Sequence, residues 1–315
     1  MKKLISILSI LIVFEGFTQQ DAGFSMYFFN PVYINPGYAG SREAISGTMV
    51  HRSQWAAMKD APTTQTFCLH SAIPNSKIGL GFQLYNDNSG PMRNTGLNLT
   101  YAYHLTLNKK SKLSFGVTGM LSNLKVDWDR INVPDENDLA FTQTRTTNWV
   151  PDAAVGLYYY QERFYAGFSI NHLMESKFGL STNAGSDLSR FYRQYYLTSG
   201  IVVPINPAIN LRPSILVKLV NANSAVFDLN AVGIYQKKYY FGLGYRFADR
   251  INIPGSDNML VGIFQYEFNR FFRLGYSFDY FLNRNKKYNS AGTHEFMIGW
   301  DFNLVKTKMS NPRFF

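Results

Sequence analysis

The sequence predicts an all-β fold, a transmembrane barrel of about 14 antiparallel strands preceded by a short segment that is not strand. Three observations carry that prediction. The chain opens with an export leader and has no later apolar run long enough to be a membrane helix. Segments of about ten residues alternate apolar and polar with period two, the spacing of a strand with one face in lipid and the other in a lumen. The connections between those segments alternate in length, short then long. Composition agrees, because aromatics are 16% of residues and charged residues only 17%, low for a soluble domain.

The leader comes first. Lys2 and Lys3 precede the apolar stretch Leu4 to Phe14, and Gly16 and Thr18 stand at −3 and −1 of a cut before Gln19. That stretch is too short to span a bilayer, so residues 1–18 are expected to be a cleaved signal peptide and the barrel is expected in an outer membrane. Net charge is +10, but no Lys/Arg run exceeds two residues, and an exported chain has no nucleic acid to meet. Anionic lipid or an acidic protein is the expected partner of that charge. Cys68 is the only cysteine, so no internal disulfide forms.

Residues 19–45 follow. They are too few for a separate plug domain and too aromatic to stay solvated, with Phe24, Tyr27, Phe28, Phe29, Tyr33 and Tyr38. Within them, Asn30-Pro31 and Asn35-Pro36 each remove a backbone donor and push the preceding residue to an extended state, and each asparagine can satisfy local backbone groups. The expectation is a stiff, doubly bent segment at the periplasmic end, either plugging the lumen or presented there as a docking element.

Residues 46–304 make the barrel. Strands are predicted at 46–56, 64–73, 77–86, 95–107, 112–126, 151–161, 164–174, 193–203, 208–220, 225–236, 239–248, 258–268, 271–282 and 293–304. In "TGLNLTYAYHLTL", Leu97, Leu99, Tyr101, Tyr103, Leu105 and Leu107 share one face, against Asn98, Thr100, Ala102, His104 and Thr106. In "FRLGYSFDYF", Phe272, Leu274, Tyr276, Phe278 and Tyr280 oppose Arg273, Gly275, Ser277 and Asp279. Aromatics at the ends of the apolar face suit the girdles of a membrane barrel. Tight turns such as "NKKSK", "QER", "PINPA" and "QKK" follow the even strands and are expected in the periplasm. Connections after odd strands are longer, 127–150 and 175–192 most of all, with "NANS" (221–224) the exception. A tail, 305–315, follows the last strand.

Two motifs point further. "FSMYFFNPVYINPGYAGSR" and "HRSQWAAMKDAPTTQTFCLHSAI" resemble the PorP/SprF family of type IX secretion system outer-membrane proteins of Bacteroidota, and the likeness runs through essentially the whole chain. Met26 stands where Gln is usual in that family, and Gly37 where Ala is usual. The resemblance implies a 14-stranded barrel without catalytic activity or cofactor. Such a barrel helps deliver or anchor a cognate surface protein with a C-terminal sorting domain, or links to the periplasmic ring of the secretion and gliding apparatus. The residues expected to meet partners are Phe24, Tyr27, Phe29, Asn30, Pro31, Asn35, Pro36 and Tyr38 of the segment, Gln54 and Trp55 of the second motif, and Lys109, Lys110, Lys237 and Lys238 of the basic turns.

Other chemistry finds little support in the sequence. His70 and His104 face inward near Thr66 and Thr106, but no flanking motif supports a nucleophile, so satisfied lumen histidines are the reading. Asp127, Asp129, Asp135, Glu136 and Asp138 cluster in the longest loop without the spacing of a calcium loop. The rival to a partner protein is a diffusion channel for small polar solutes, its passage lined by Arg246, Arg273 and Asp279.

Overall fold

In the computed structural model, residues 23–42, 44–127, 148–178, 190–220, 224–250, 258–269, 271–282 and 291–303 are described. They form one closed antiparallel barrel of 14 strands in sequence order. The strands are β1 (Ala44–Ser53), β2 (Thr63–Ala72), β3 (Ile78–Ser89), β4 (Met92–Thr106), β5 (Ser111–Val126), β6 (Asn148–Gln161) and β7 (Phe164–Asn171), then β8 (Gln194–Ile201), β9 (Ile209–Val220), β10 (Ser224–Tyr235), β11 (Tyr239–Arg250), β12 (Met259–Glu267), β13 (Phe272–Phe281) and β14 (Thr293–Asn303). β14 pairs back onto β1 from Ala44↔Asn303 to Ser53↔His294, so no edge is left open. No helix among the described residues is long and apolar enough to cross a membrane; the crossings are made by strands.

Every predicted strand is present, with ends within three residues of expectation. The facing is also as expected. Leu99, Tyr101, Tyr103 and Leu105 are exposed, while Asn98, Thr100, Ala102 and His104 are buried toward the lumen. Backbone alternation decides this, since a one-residue slip would turn every apolar side chain inward.

Three details differ. Residues 87–94, expected as a connection, continue the β3–β4 ladder to Ser89↔Met92, leaving only Gly90 and Pro91 as the turn. Gly90 has φ +57°, a conformation glycine adopts without penalty. Polar residues hold this extension together across strands: Asn86 Nδ2 donates to Gln65 Oε1 (2.7 Å), and Arg93 Nε donates to Asn88 Oδ1 (2.9 Å). Alternation against lipid is not needed there, which hid the strand. β7 stops at Asn171 rather than 174, because His172 takes φ +57° and turns the chain. Finally, β8 is interrupted at Val202 and resumes as Val203–Pro204; its ladder with β9 runs to Ser214↔Gly200 and restarts at Leu211↔Val203, and between them lies Pro213, which has no N–H to give. The expected signal peptide, the acidic loop beyond Asp127 and the tail 305–315 lie outside the described residues.

Candidate functional site

The lumen is occupied by the chain's own residues 23–42. Pro31 and Pro36 each open a one-turn 3₁₀ helix, Pro31–Tyr33 and Pro36–Tyr38, and Tyr27–Phe29 forms a third. A proline ring preset near the helical φ suits that first position, and its missing N–H keeps the segment out of the sheet. The two asparagines divide the work. Asn35 Oδ1 accepts from Gly37 N (2.8 Å) while its Nδ2 donates to the Leu157 carbonyl of β6 (2.9 Å). Asn30 makes no such local cap; its Nδ2 donates to Cys68 Sγ on β2 (3.1 Å).

Inward glycines shape the wall to this limb. A Cβ at Gly79 would overlap the Ala39 carbonyl, one at Gly116 the Pro36–Gly37 backbone, and one at Gly156 the Asn35 side chain. Four more hydrogen bonds fix the seat. Gln83 Nε2 donates to Val32 O (2.7 Å), Ser169 Oγ to Ile34 O (2.6 Å) and His104 Nε2 to Ala39 O (2.9 Å), and Gly40 N donates to His70 Nδ1 (3.2 Å). Tyr160 hydroxyl meets the other His104 nitrogen (3.1 Å). Both histidines are thus engaged with the segment, and Thr106 is exposed.

The aromatic limb packs on the other half of the wall. Phe24, Met26, Tyr27, Phe28 and Phe29 form one buried cluster with Leu216, Val232, Ile234, Tyr240, Val261, Ile263 and Met297. Arg212, fully buried, lays its guanidinium over Phe28 (4.8 Å) and Phe29 (5.1 Å). Burial raises the Tyr27 phenol well above its ordinary pKa.

Buried charge clamps both ends of the segment. Toward the long-loop end, Glu295 accepts from Ser25 N (2.6 Å) and Met26 N (3.0 Å), Asp279 Oδ2 accepts from Ser25 Oγ (2.8 Å), and Arg246 Nη2 donates to Phe24 O (3.3 Å). Arg52 bridges Glu295 and Asp279, and Arg246 pairs with Asp228 (2.6 Å). At the short-turn end, Arg42 reaches Asp301 (2.8 Å) and the Tyr38 hydroxyl (3.0 Å), and Arg273 also pairs with Asp301. Burial weakens the Arg42 charge, yet Asp301 and Tyr38 more than offset it, and its pKa stands above the usual arginine value. These two groups hold four arginines and four carboxylates, so the charges of the two clamps balance each other.

Two expectations are corrected here. The segment is not confined to the periplasmic end: it threads the lumen from the Glu295 level, below the long loops, to Arg42 beside the foot of β14. Arg246, Arg273 and Asp279 do not line an open passage, because each is committed to a buried ion pair. The fourteen residues expected to meet partners fall in separate places. Phe24, Tyr27, Phe29, Asn30, Pro31, Asn35, Pro36 and Tyr38 come together, but all are buried in the lumen rather than presented outward. Gln54 and Trp55 belong to the 54–62 loop at the long-loop end. That loop is tied down by Trp55 N to Thr293 Oγ1 (3.3 Å) and by Ala56 to Gly292 and Ala291. Lys109 and Lys110, and Lys237 and Lys238, are exposed on two turns at the opposite end, six strands apart.

Sequence reasoning missed the inward apolar residues Val232, Ile234, Val261 and Ile263. The available signal was the loss of alternation in "AVGIY" and "MLVGIF", where both faces are apolar. It also missed Arg42, Arg52, Asp228, Glu295 and Asp301, which stand at or beside inward positions of otherwise alternating strands.

Comparison with known proteins agrees with this architecture. A solved structure with a similar fold is the CymD monoaromatic hydrocarbon channel (13% identity, 86% of this chain and 90% of that one, TM-score 0.50); the Pseudomonas putida toluene transporter TodX also matches (10% identity, 87% and 94%, TM-score 0.49). No curated protein matches the sequence. Residues 16–300 match the family described as type IX secretion system membrane protein PorP/SprF. With its closed barrel, its filled lumen and that match over most of its length, the chain belongs to the PorP/SprF family and is a membrane component of type IX secretion, placed in the outer membrane.

Proposed function

We propose that this barrel is a non-conducting partner protein, which holds a fixed position in the outer membrane and helps deliver or anchor a cognate surface protein carrying a C-terminal sorting domain. The observation that carries the reading is the seated segment. A lumen filled by glycine-fitted backbone, aromatic packing and paired charge leaves the two ends as the surfaces on which partners can act. On this reading the loops at the long-loop end, including Gln54 and Trp55 and the stretches 127–150 and 175–192, meet the client. The basic short turns with Lys109, Lys110, Lys237 and Lys238 face the periplasmic apparatus and anionic lipid. No catalytic step is assigned, since the family is one of secretion membrane components.

The test is a gentle-detergent pull-down of tagged protein from its native membrane, read by mass spectrometry, with planar-bilayer conductance on the same preparation. A large secreted protein with a C-terminal sorting domain, together with a silent bilayer, supports the anchor. Recovery of ring components alone moves the protein to the core apparatus. Steady conductance with neither partner hands it to the diffusion channel.

A further inference from the structure

The lipid-facing wall is not uniform. A hollow of about 650 Å³ crosses its outer surface from β7 and β8 to β12, within the roughly 300–1,000 Å³ range of ligand sites. Three small outward residues on adjacent strands floor it: Ser199 on β8, Pro213 on β9 and Ala231 on β10, the last two directly paired. Bulky neighbours wall it, among them Phe164, Ile215 and Leu243. Leu243 is 77% exposed, the most exposed large apolar side chain among the described residues. The cause is local: its cross-strand partners are Ala231 on one side and Gly262 on the other, so no neighbour covers it. The hollow also adjoins the interruption of the β8–β9 ladder at Pro213.

Charge sits below the hollow at the level of the short turns. Arg163 precedes Phe164, and its carbonyl accepts from Val202 N (2.8 Å), which places that turn against the foot of β8. Lys237 and Lys238 form the exposed turn joining β10 to β11, strands that both line the hollow. From Ala231 to Gln236 the chain runs about 17 Å at ~3.4 Å per residue, about 12–14 Å along the membrane normal at a barrel strand's ~35–45° tilt, comparable to the ~15 Å half-thickness of a bilayer core. Glu162 is the one adverse charge beside Arg163.

We propose that this hollow is a resident-lipid site, holding one acyl chain of an anionic phospholipid of the periplasmic leaflet in the Ser199–Pro213–Ala231 trough, its phosphate met by Lys237 and Lys238. Continuity with the lipid belt and the basic turns at head-group height select a phospholipid over a protein occupant. A chain fixed in a trough excludes the mobile lipid that would otherwise leave the ladder gap poorly packed.

The experiment is native mass spectrometry and lipid analysis of the full-length barrel purified from its native membrane and washed extensively in detergent. The expected result is one retained anionic phospholipid per barrel. Ala231→Phe and Ser199→Phe, which fill the trough without touching the lumen, should each cut retention about tenfold. Lys237→Gln with Lys238→Gln should remove the preference for anionic over zwitterionic lipid. Gly119→Phe, an outward glycine on β5 with no heavy atom within 4 Å, should retain lipid as wild type does. No retained lipid in wild type, equal retention in the trough-filling variants, or an equal loss in Gly119→Phe would each overturn the proposal.

Discussion

Gly116→Val tests whether the shape of the wall holds the N-terminal segment in the lumen. A Cβ at this position overlaps backbone atoms of Pro36 and Gly37, which cannot swing aside as the end of a side chain would. Overpacking of this kind costs about 1–3 kcal/mol. The limb it strikes is tied to the wall by at least six hydrogen bonds, which involve Asn30, Asn35, Gln83, Ser169, His104 and His70. At a net ~1 kcal/mol each they hold it by about 6 kcal/mol. The variant should therefore stay seated most of the time, with its unseated fraction raised about 5- to 150-fold. Cys68 reports that fraction. It is the only cysteine, buried and lumen-facing, and it accepts a hydrogen bond from Asn30. Its rate of maleimide labelling in the solubilised barrel follows the open population when reclosing is fast. Gly119→Val, on the outward face of the same strand, should leave the rate unchanged. If wild-type Cys68 labels like an exposed thiol, or if Gly116→Val labels no faster than Gly119→Val, the segment is not held by the fit described.

Three further outcomes are expected. Glu295→Ala strands the Ser25 and Met26 N–H groups and leaves Arg52 with Asp279 alone, at a cost of about 3–5 kcal/mol; planar-bilayer recordings should then show openings that wild type lacks, and a silent variant would mean that this end does not gate the lumen. Arg42→Ala should lower the unfolding temperature, read by heat-dependent gel mobility, and Arg42→Lys should recover only part of the loss, because one lysine cannot reach Asp301 and the Tyr38 hydroxyl as the guanidinium does. The Tyr27 phenol titrates higher in the folded barrel than its ordinary 10.0, so its contribution is complete below pH 10 and lost as pH rises further; unfolding temperature should fall more steeply above pH 10 in wild type than in Tyr27→Phe, and parallel curves would contradict the burial of that hydroxyl.

Much of this molecule is legible from local pattern. Alternation in "TGLNLTYAYHLTL" and "FRLGYSFDYF" determines which face meets lipid, and successive connection lengths determine a closed, antiparallel order, because each is a property of neighbours in sequence. The two Asn-Pro pairs determine that residues 30–38 are bent and unpaired, since proline's missing donor acts wherever the chain lies. What the sequence leaves undecided is where that bent segment goes. Gly79, Gly116 and Gly156 look like ordinary small lumen residues until Ala39, Pro36 and Asn35 are set against them, and Arg246 and Asp279 look like pore lining until Asp228 pairs across the neighbouring strand and Arg52 and Ser25 arrive from far along the chain. Those contacts join residues up to 270 positions apart. Only closure of the barrel fixes such distances, so the filled lumen, and the roughness of the lipid-facing wall around Leu243, belong to the tertiary structure.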